Sequence, residues 1–317
     1  MGVPRASGVP DYGPGAGTSN FLPEIYSGKL VEKFYKTTVF GEIATTDYEG
    51  EIAGFGAQVV IRTVPTITVS DYVIGAGLTT QYPSRNSVTL AIDQAKAFNV
   101  ALNTVDARQS DLDLADIFAD DGSIQLKIAA DQDMLETIPA QVSSQNTGNS
   151  AGADSGNLRL GTSTSPVTVV ASGATGTQQN VVDFVLNCGQ ALDEQSVSDE
   201  GRWIVMPPWM VKLLKQSPLN IASLAGDAVS ILRNGKVGMI DRFTVFESRN
   251  CLTYNSPESS TAILFGHSAG LAFAAQIVEA QMIDNPDDFG YLIRGLMVFG
   301  YKVIEPLYVG CGFARQV

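Results

Sequence analysis

The sharpest chemical signal in the chain is Gly266-His267-Ser268-Ala269-Gly270, which matches the G-x-S-x-G pattern of a serine nucleophile on a strand-to-helix elbow. That chemistry needs a histidine to take the serine proton and a carboxylate to orient the histidine. The fold that uses this elbow places its histidine after the serine, and His267 is the only histidine in 317 residues. Its position next to Ser268 on a tight elbow directs the imidazole away from the hydroxyl, and no upstream His-Gly-Gly oxyanion segment exists. The pentapeptide is therefore read as a turn, and a Ser268 hydrolase is the rival reading. A single histidine also removes multi-histidine zinc sites and two-histidine iron sites. Cys188, Cys251 and Cys311 are odd in number and far apart, a pattern of buried reduced thiols rather than of a disulfide framework or metal knuckle.

Other candidates are poorer. The run from Gly75 to Thr80 lacks the third glycine of a dinucleotide loop, and no phosphate-loop lysine motif occurs. Asp111, Asp113, Asp116, Asp120, Asp121, Asp131 and Asp133 lie along one helical stretch without the spacing of a calcium loop, so they read as a solvated acidic face. Spacing alone leaves open a glycosidase-type carboxylate pair, whose members are distant in sequence by nature. The expectation is a chain with no catalytic residue, no metal and no cofactor.

Composition points elsewhere. The chain has 33 acidic and 20 basic residues, a net charge of −13, and a charged fraction of only 17% against 44% apolar residues. A typical soluble domain carries about 25% charged residues, so much of this surface is expected to be covered by other chains. No block of Lys and Arg is present, and an acidic chain without a basic stripe is repelled by phosphate backbones. No stretch reads as a signal peptide or a transmembrane helix.

The elements that must position these residues follow from periodicity. Residues 1–20 read as an arm rich in Gly and Pro, and Pro23 opens a helix up to about Lys36. From Tyr48 the period changes to two: Val60 and Arg62 alternate with Val59 and Ile61, a glycine-punctuated tip covers 70–87, and Val88, Leu90 and Ile92 return on one face. The outer half of this hairpin has too few apolar positions for a core, so it must lie on something else. Ser110 to Pro139 carries a helical stripe, with Gly122 a candidate bend. Residues 143–179 shift to Gly, Ser and Thr and read as a boundary, with Val167–Val170 strand-like. Beyond it come a helix at Val181–Leu192, a strand at Arg202–Met206, a helix at Pro208–Gln216, the hairpin signal Asn234-Gly235, and a strand at Phe243–Glu247. Long strands follow at about Leu271–Ile283 and Tyr291–Val309.

The order of these parts resembles the tailed-phage major capsid protein of the Hong Kong 97 type. Local motifs agree. Ile92-Asp93-Gln94-Ala95-Lys96-Ala97-Phe98 is similar to the family's passage from E-loop into spine helix. Arg202-Trp203-Ile204-Val205-Met206-Pro207-Pro208-Trp209 resembles its strand-Pro-Pro-helix lead into the A-domain, and Gly235 to Ser248 resembles the hairpin closing that domain. The stretch from Phe289 through Arg294 and Gly300 to Glu305-Pro306 looks like its last P-domain strand.

The resemblance implies an α+β fold with an N-terminal arm and helix at 1–47, an E-loop hairpin at 48–100 and a P-domain spine helix at 101–142. It further implies an A-domain at 180–260 and returning P-domain strands at 261–317, while the boundary segment at 143–179, read from composition, has no counterpart in the family. It implies a structural subunit that self-assembles as pentamers and hexamers into the icosahedral head around double-stranded DNA, made in the bacterial host cytoplasm. Its partners would be other copies, a separate scaffolding protein and a portal, with the binding of decoration proteins left open, and with no sequence-specific nucleic acid binding and no membrane. Glu49 to Ala95 contains no lysine, so the covalent E-loop cross-link of the founding member is expected to be absent. The hairpin cations Arg62 and Arg85 are expected to meet the acidic turn Asp284, Asp287 and Asp288 of a neighbour. A secreted surface-layer or adhesin subunit is the other rival, disfavoured by the lack of a signal peptide.

Overall fold

Arg202–Met206 and Ser260–His267 are buried along almost their whole length rather than at alternate positions. Such strands must sit inside a sheet covered on both faces. The computed structural model describes residues 38–48, 58–63, 67–75, 80–82, 87–104, 114–217, 238–255, 259–286 and 288–316, with isolated positions between them. The expected helix from Pro23, the cap Ser110, the Asn234-Gly235 signal, Arg85 and Asp287 lie outside the described residues.

In chain order the elements are α1 (Phe40–Ile43), β1 (Gln58–Arg62), β2 (Ser87–Ala91), β3 (Gln94–Asn103), α2 (Leu114–Thr137), β4 (Val167–Val170), β5 (Gln179–Asn180) and α3 (Val181–Asp193). They continue with β6 (Arg202–Met206), α4 (Pro208–Gln216), β7 (Met239–Ile240), β8 (Phe243–Glu247), β9 (Thr253–Tyr254), β10 (Ser260–His267), β11 (Leu271–Asp284), β12 (Gly290–Val303) and β13 (Val309–Gln316). The fold is α+β, with a mixed sheet of order β5-β4-β13-β10-β6-β8-β7, β9 pairing with β10 at one end. A second sheet has the order β11-β12-β3, and β1 pairs with β2 as a separate hairpin.

Side-chain alternation in the mixed sheet divides the protein into two cores. Ile204, Met206, Ile263 and Phe265 face α3 and α4, whereas Trp203, Val205, Ala262 and Leu264 face the C-terminal half of α2. Two positions on β13 require glycine because aromatic rings occupy the space of a side chain: Phe265 presses on Gly310 and Phe184 on Gly312. A third core, Ile61, Leu90 and Ile92 against Ala272, Ala274 and Ile304, fastens the base of the β1–β2 hairpin to β11.

Several expectations change. Residues 94–103, read as a passage into the helix, form a full strand paired along β12 from Gln94↔Phe299 to Asn103↔Gly290. The strand expected over Tyr291–Val309 is two strands, broken by a one-turn helix at Pro306–Tyr308. Gly122 marks no break in α2, which is continuous. Together with Gly295 on β12, it makes room for the Phe98 ring between helix and sheet.

The sheets also do not follow the divisions drawn at 143, 180 and 261. β4 and β5 pair in parallel alongside β13, while Leu158, Leu160, Val167 and Val169 are buried in the core under α3. The 143–179 segment is thus an integral part of the mixed sheet's layer. Glu194 fastens its loop by accepting the Asp154 and Ser155 amides at 2.9 and 3.1 Å. Slight burial opposes ionisation, yet these bonds and one from Gln190 bring the Glu194 carboxyl down to about 2.

The acidic face needs the largest correction. Asp131 is fully buried. One of its oxygens accepts the Val39 and Phe40 amides at 2.9 and 3.0 Å, and the other accepts Asn250 Nδ2 at 2.7 Å. Asp133 pairs with Lys96 at 3.0 Å and accepts from the Tyr301 hydroxyl at 3.0 Å. Burial raises the Asp131 carboxyl above its ordinary 3.8, and the three hydrogen bonds only partly offset this. The stability linked to that raised value is fully present below the unfolded pKa and is lost as pH rises through the folded one.

Replacing Asp131 with Ala orphans the buried Val39 amide, the partly buried Phe40 amide and the Asn250 side-chain amide. At about 1–3 kcal/mol for a stranded buried donor, the expected loss is on the order of 3 kcal/mol in chemical denaturation at neutral pH. Asp131→Asn keeps an acceptor for Val39 and Phe40. It should lose about 1 kcal/mol or less and abolish the Asp131-linked pH slope.

Candidate assembly surface

The Gly266–Gly270 pentapeptide ends β10 and runs up to β11, so strand leads to strand through a one-turn 3-10 helix at Ser268–Gly270. The His267 side chain caps that turn, its Nδ1 accepting the Ala269 amide at 3.0 Å. An imidazole whose acceptor nitrogen is spent on a backbone amide cannot take a proton from Ser268 through it, and a strand in place of a helix removes the elbow. The turn reading therefore holds on geometry.

The thiols are equally committed. Burial pushes Cys251 up to about 12 and raises Cys188 and Cys311 as well, so all three are protonated at neutral pH. Among the described residues no group of three His, Cys, Asp or Glu is placed to hold a metal ion. No helix among them is long and apolar enough to cross a membrane.

The chain instead exposes two projecting surfaces, one apolar and one of mixed polarity. The first is the continuation of the β1–β2 hairpin. Ile67, Val69, Tyr72, Val73, Ile74 and Tyr82 are exposed, Val69 and Tyr82 to 92% and 90%. Here Gln81 ties the two arms together across a gap: its Oε1 accepts the Thr68 amide at 3.1 Å and its Nε2 donates to the Thr68 carbonyl at 2.6 Å.

The second surface is the far end of the β11-β12-β3 sheet. Four successive residues of β11, Glu279 to Met282, are exposed, so this ribbon stands clear of the rest of the chain. Its turn is closed by the Asn285 amide donating to Gly290 at 2.9 Å, and Phe289 is 87% exposed. On the sheet face away from α2, register places Glu279, Leu296 and Ala97 in one row and Gln281, Arg294 and Asn99 in the next. They line a trough of about 410 Å³.

The expected contact residues are only partly brought together. Arg62 is exposed at the end of β1, and Asp284 is exposed at the end of β11. Asp288 is engaged within its own chain, accepting from Asn103 Nδ2 at 3.1 Å and from the Phe289 amide at 2.8 Å. Among the described residues no ion pair joins Arg62 to either aspartate within one chain. Phe289 and the trough were missed. The three alanines on one face of β3 (Ala95, Ala97 and Ala101, interrupted by Asn99) were the signal, obscured by reading that stretch as a passage.

A second missed feature is an ion network at the end of α3. Buried Arg202 meets Asp193 and Asp199 at 2.8 and 3.1 Å, and Arg242 meets the same two at 2.7 Å each. Partial burial raises the Asp193 carboxyl, but the bonds from Arg242 and Arg202 outweigh it and hold the carboxyl below its ordinary value. Arg242 and Asp241 both take left-handed backbone angles, φ 67° and 43°, in the two-residue turn between β7 and β8. That conformation favours Asn-Gly, and here the arginine's two carboxylate contacts hold it.

A family model described as phage capsid protein matches residues 85–310. Among solved structures, one from Mycobacterium phage Che8 is 26% identical, with 92% of this chain and 97% of that chain covered and a TM-score of 0.72. The capsid structure of cyanophage P-SCSP1u is 15% identical over 98% of this chain and 100% of that one, TM-score 0.70. The mature capsid of bacteriophage PhiM1 is 15% identical over 96% and 94%, TM-score 0.66. A comparison with curated protein sequences finds no match.

If Ser268 is a turn residue, Ser268→Ala leaves the thermal midpoint within about 1 °C, and a serine-directed fluorophosphonate leaves the wild-type protein unlabelled. Stoichiometric labelling at Ser268 contradicts the assignment.

Proposed function

The chain belongs to the phage capsid protein family as a structural major capsid protein that self-assembles into the icosahedral shell of a tailed phage, and we propose that its β1–β2 hairpin and β11-β12-β3 ribbon are the lateral contacts of that shell. The observation that carries this is the hairpin itself, an apolar arm that its own chain leaves uncovered. Exposed contiguous apolar surface of this kind marks an interaction site.

In this reading the hairpin is the E-loop, α2 the spine helix, the β11-β12-β3 sheet the P-domain wall and the mixed sheet with α3 and α4 the A-domain, gathered around five- and sixfold centres. Lys96, the only lysine near the hairpin's base, is ion-paired to Asp133, which supports a shell held without lysine cross-links. A net charge of −13 suits a wall facing packed DNA, since adhesion would obstruct packaging. A separate scaffolding protein and a portal are its partners in this reading, with synthesis in the host cytoplasm.

Negative-stain microscopy of the expressed protein, alone and with its neighbouring gene products, tests the arrangement. Closed shells are expected, dissociating in hot detergent to one band at the chain's own 33.6 kDa. Failure to form shells in any combination, or a ladder of covalent multimers, contradicts it.

Across the lateral contact, Arg62 and Arg85 of one copy meet Asp284 and Asp287 of the next, while Asp288 holds the turn. A partly exposed pair contributes about 0.2–1 kcal/mol, repeated in every subunit. Arg85→Asp alone, and Asp284→Arg with Asp287→Arg alone, should each lower the melting temperature of particles. The combined exchange should recover part of that loss. A combined variant no better than the sum of the two defects removes the pairing.

A further inference from the structure

We propose that Phe289 is a knob that seats in the β3-β12-β11 trough of a second copy of the chain, an inference that rests on the shell-forming reading above. Phe289 is 87% exposed but firmly placed. Its amide donates to Asp288 Oδ1 at 2.8 Å, and its carbonyl accepts the Thr104 amide at 3.1 Å. The ring is thus presented to solvent by a backbone fixed from both sides, which lowers the ordering cost of docking.

The trough has the chemistry to receive it. Leu296 and Ala97 make an apolar floor, and the shortness of Ala97 is what opens the space. Arg294 stands on one wall, its Nε donating to Asn99 Oδ1 at 3.4 Å, so the guanidinium is available to an aromatic face. A volume of about 410 Å³ admits one phenyl ring. The molecule's own Phe289 cannot fill it: Leu296 lies seven residues further along the same extended strand, ~23 Å at ~3.3 Å per residue. A Phe289 ring seated there must come from another molecule, and in a shell of identical subunits each copy can give one knob and receive one.

Two variant sets test this on the full-length chain under shell-forming conditions. Phe289→Ser and Ala97→Trp, one removing the knob and one filling the trough, should each raise the critical concentration for assembly about tenfold. Phe289→Tyr should stay close to wild type. Both altered positions are exposed, and unchanged circular dichroism of the subunit verifies folding.

In assembled shells, Phe289→Cys with Ala97→Cys should be joined between subunits by a short bismaleimide, whereas either single variant should not. The competing occupant is the hairpin, probed by Val69→Cys with Ala97→Cys. Cross-linking of that pair in place of 289 with 97, or normal assembly of Phe289→Ser, overturns the knob while leaving the capsid reading intact. Wild-type protein that never assembles overturns both.

Discussion

One buried carboxylate joins three parts of this molecule that are far apart in sequence. Asp131 on α2 holds the start of α1 by two backbone amides and the loop after β8 by Asn250. A charge can be carried this deep only where nearly all its acceptor capacity is used. The site is therefore selective for the segment whose amides point inward, Val39 and Phe40. Once that segment is docked, Ile43 and Ala44 complete the core under α2, and Thr45 adds to the edge of β11 by exchanging hydrogen bonds with Leu271 and Phe273. The placement of residues 39–45 against both sheets follows from this carboxylate.

The mixed sheet explains why so few charges suffice inside the chain. Its central strands β6 and β10 are covered by helices on one face and by α2 on the other, so their residues are apolar at successive positions. Arg202 is the exception, and it escapes an unpaired burial by lying at the strand's first residue, where Asp193, Asp199 and two carbonyls reach it. Charge has been moved to the ends of strands and to the projecting ribbon.

Much of this was legible in the residues. The helices at Val181 and Pro208, the strands at Arg202 and Phe243, and the hairpin's return strand with Leu90 and Ile92 on one face all follow from period and punctuation. What could not be read depends on partners distant in sequence. Asp131 looks like its neighbours on an acidic helix until Val39 and Asn250 arrive. Gly122 looks like a weak point until the Phe98 ring fills the space a side chain would need. The 143–179 segment has the composition of a linker because it is built of turns, with glycines at positive φ such as Gly148, Gly152 and Gly161. Its few apolar residues are nevertheless all that a strand pairing with β13 requires. At the candidate contact, the charges were visible but the aromatic knob and its trough were not, because both are made by register across three strands.

The turn at Ser268–Gly270 has a mechanical meaning. The chain passes between its two sheets there and again at Ile304–Tyr308. These passages lie side by side, with the Ile304 amide donating to Gly270 at 2.8 Å and the Glu305 amide to the same carbonyl at 3.4 Å. Covalent continuity between wall and mixed sheet on this side of the molecule is concentrated in one double stitch. Tension arriving from a pressurised interior would be drawn along β11 and β12 into that stitch and spread into β10 and β13, the adjacent middle strands of the larger sheet. There it would be borne in shear by many hydrogen bonds at once rather than peeled from an edge, so a motif that looks like an enzyme's elbow would be one of the two links that carry strain between the sheets.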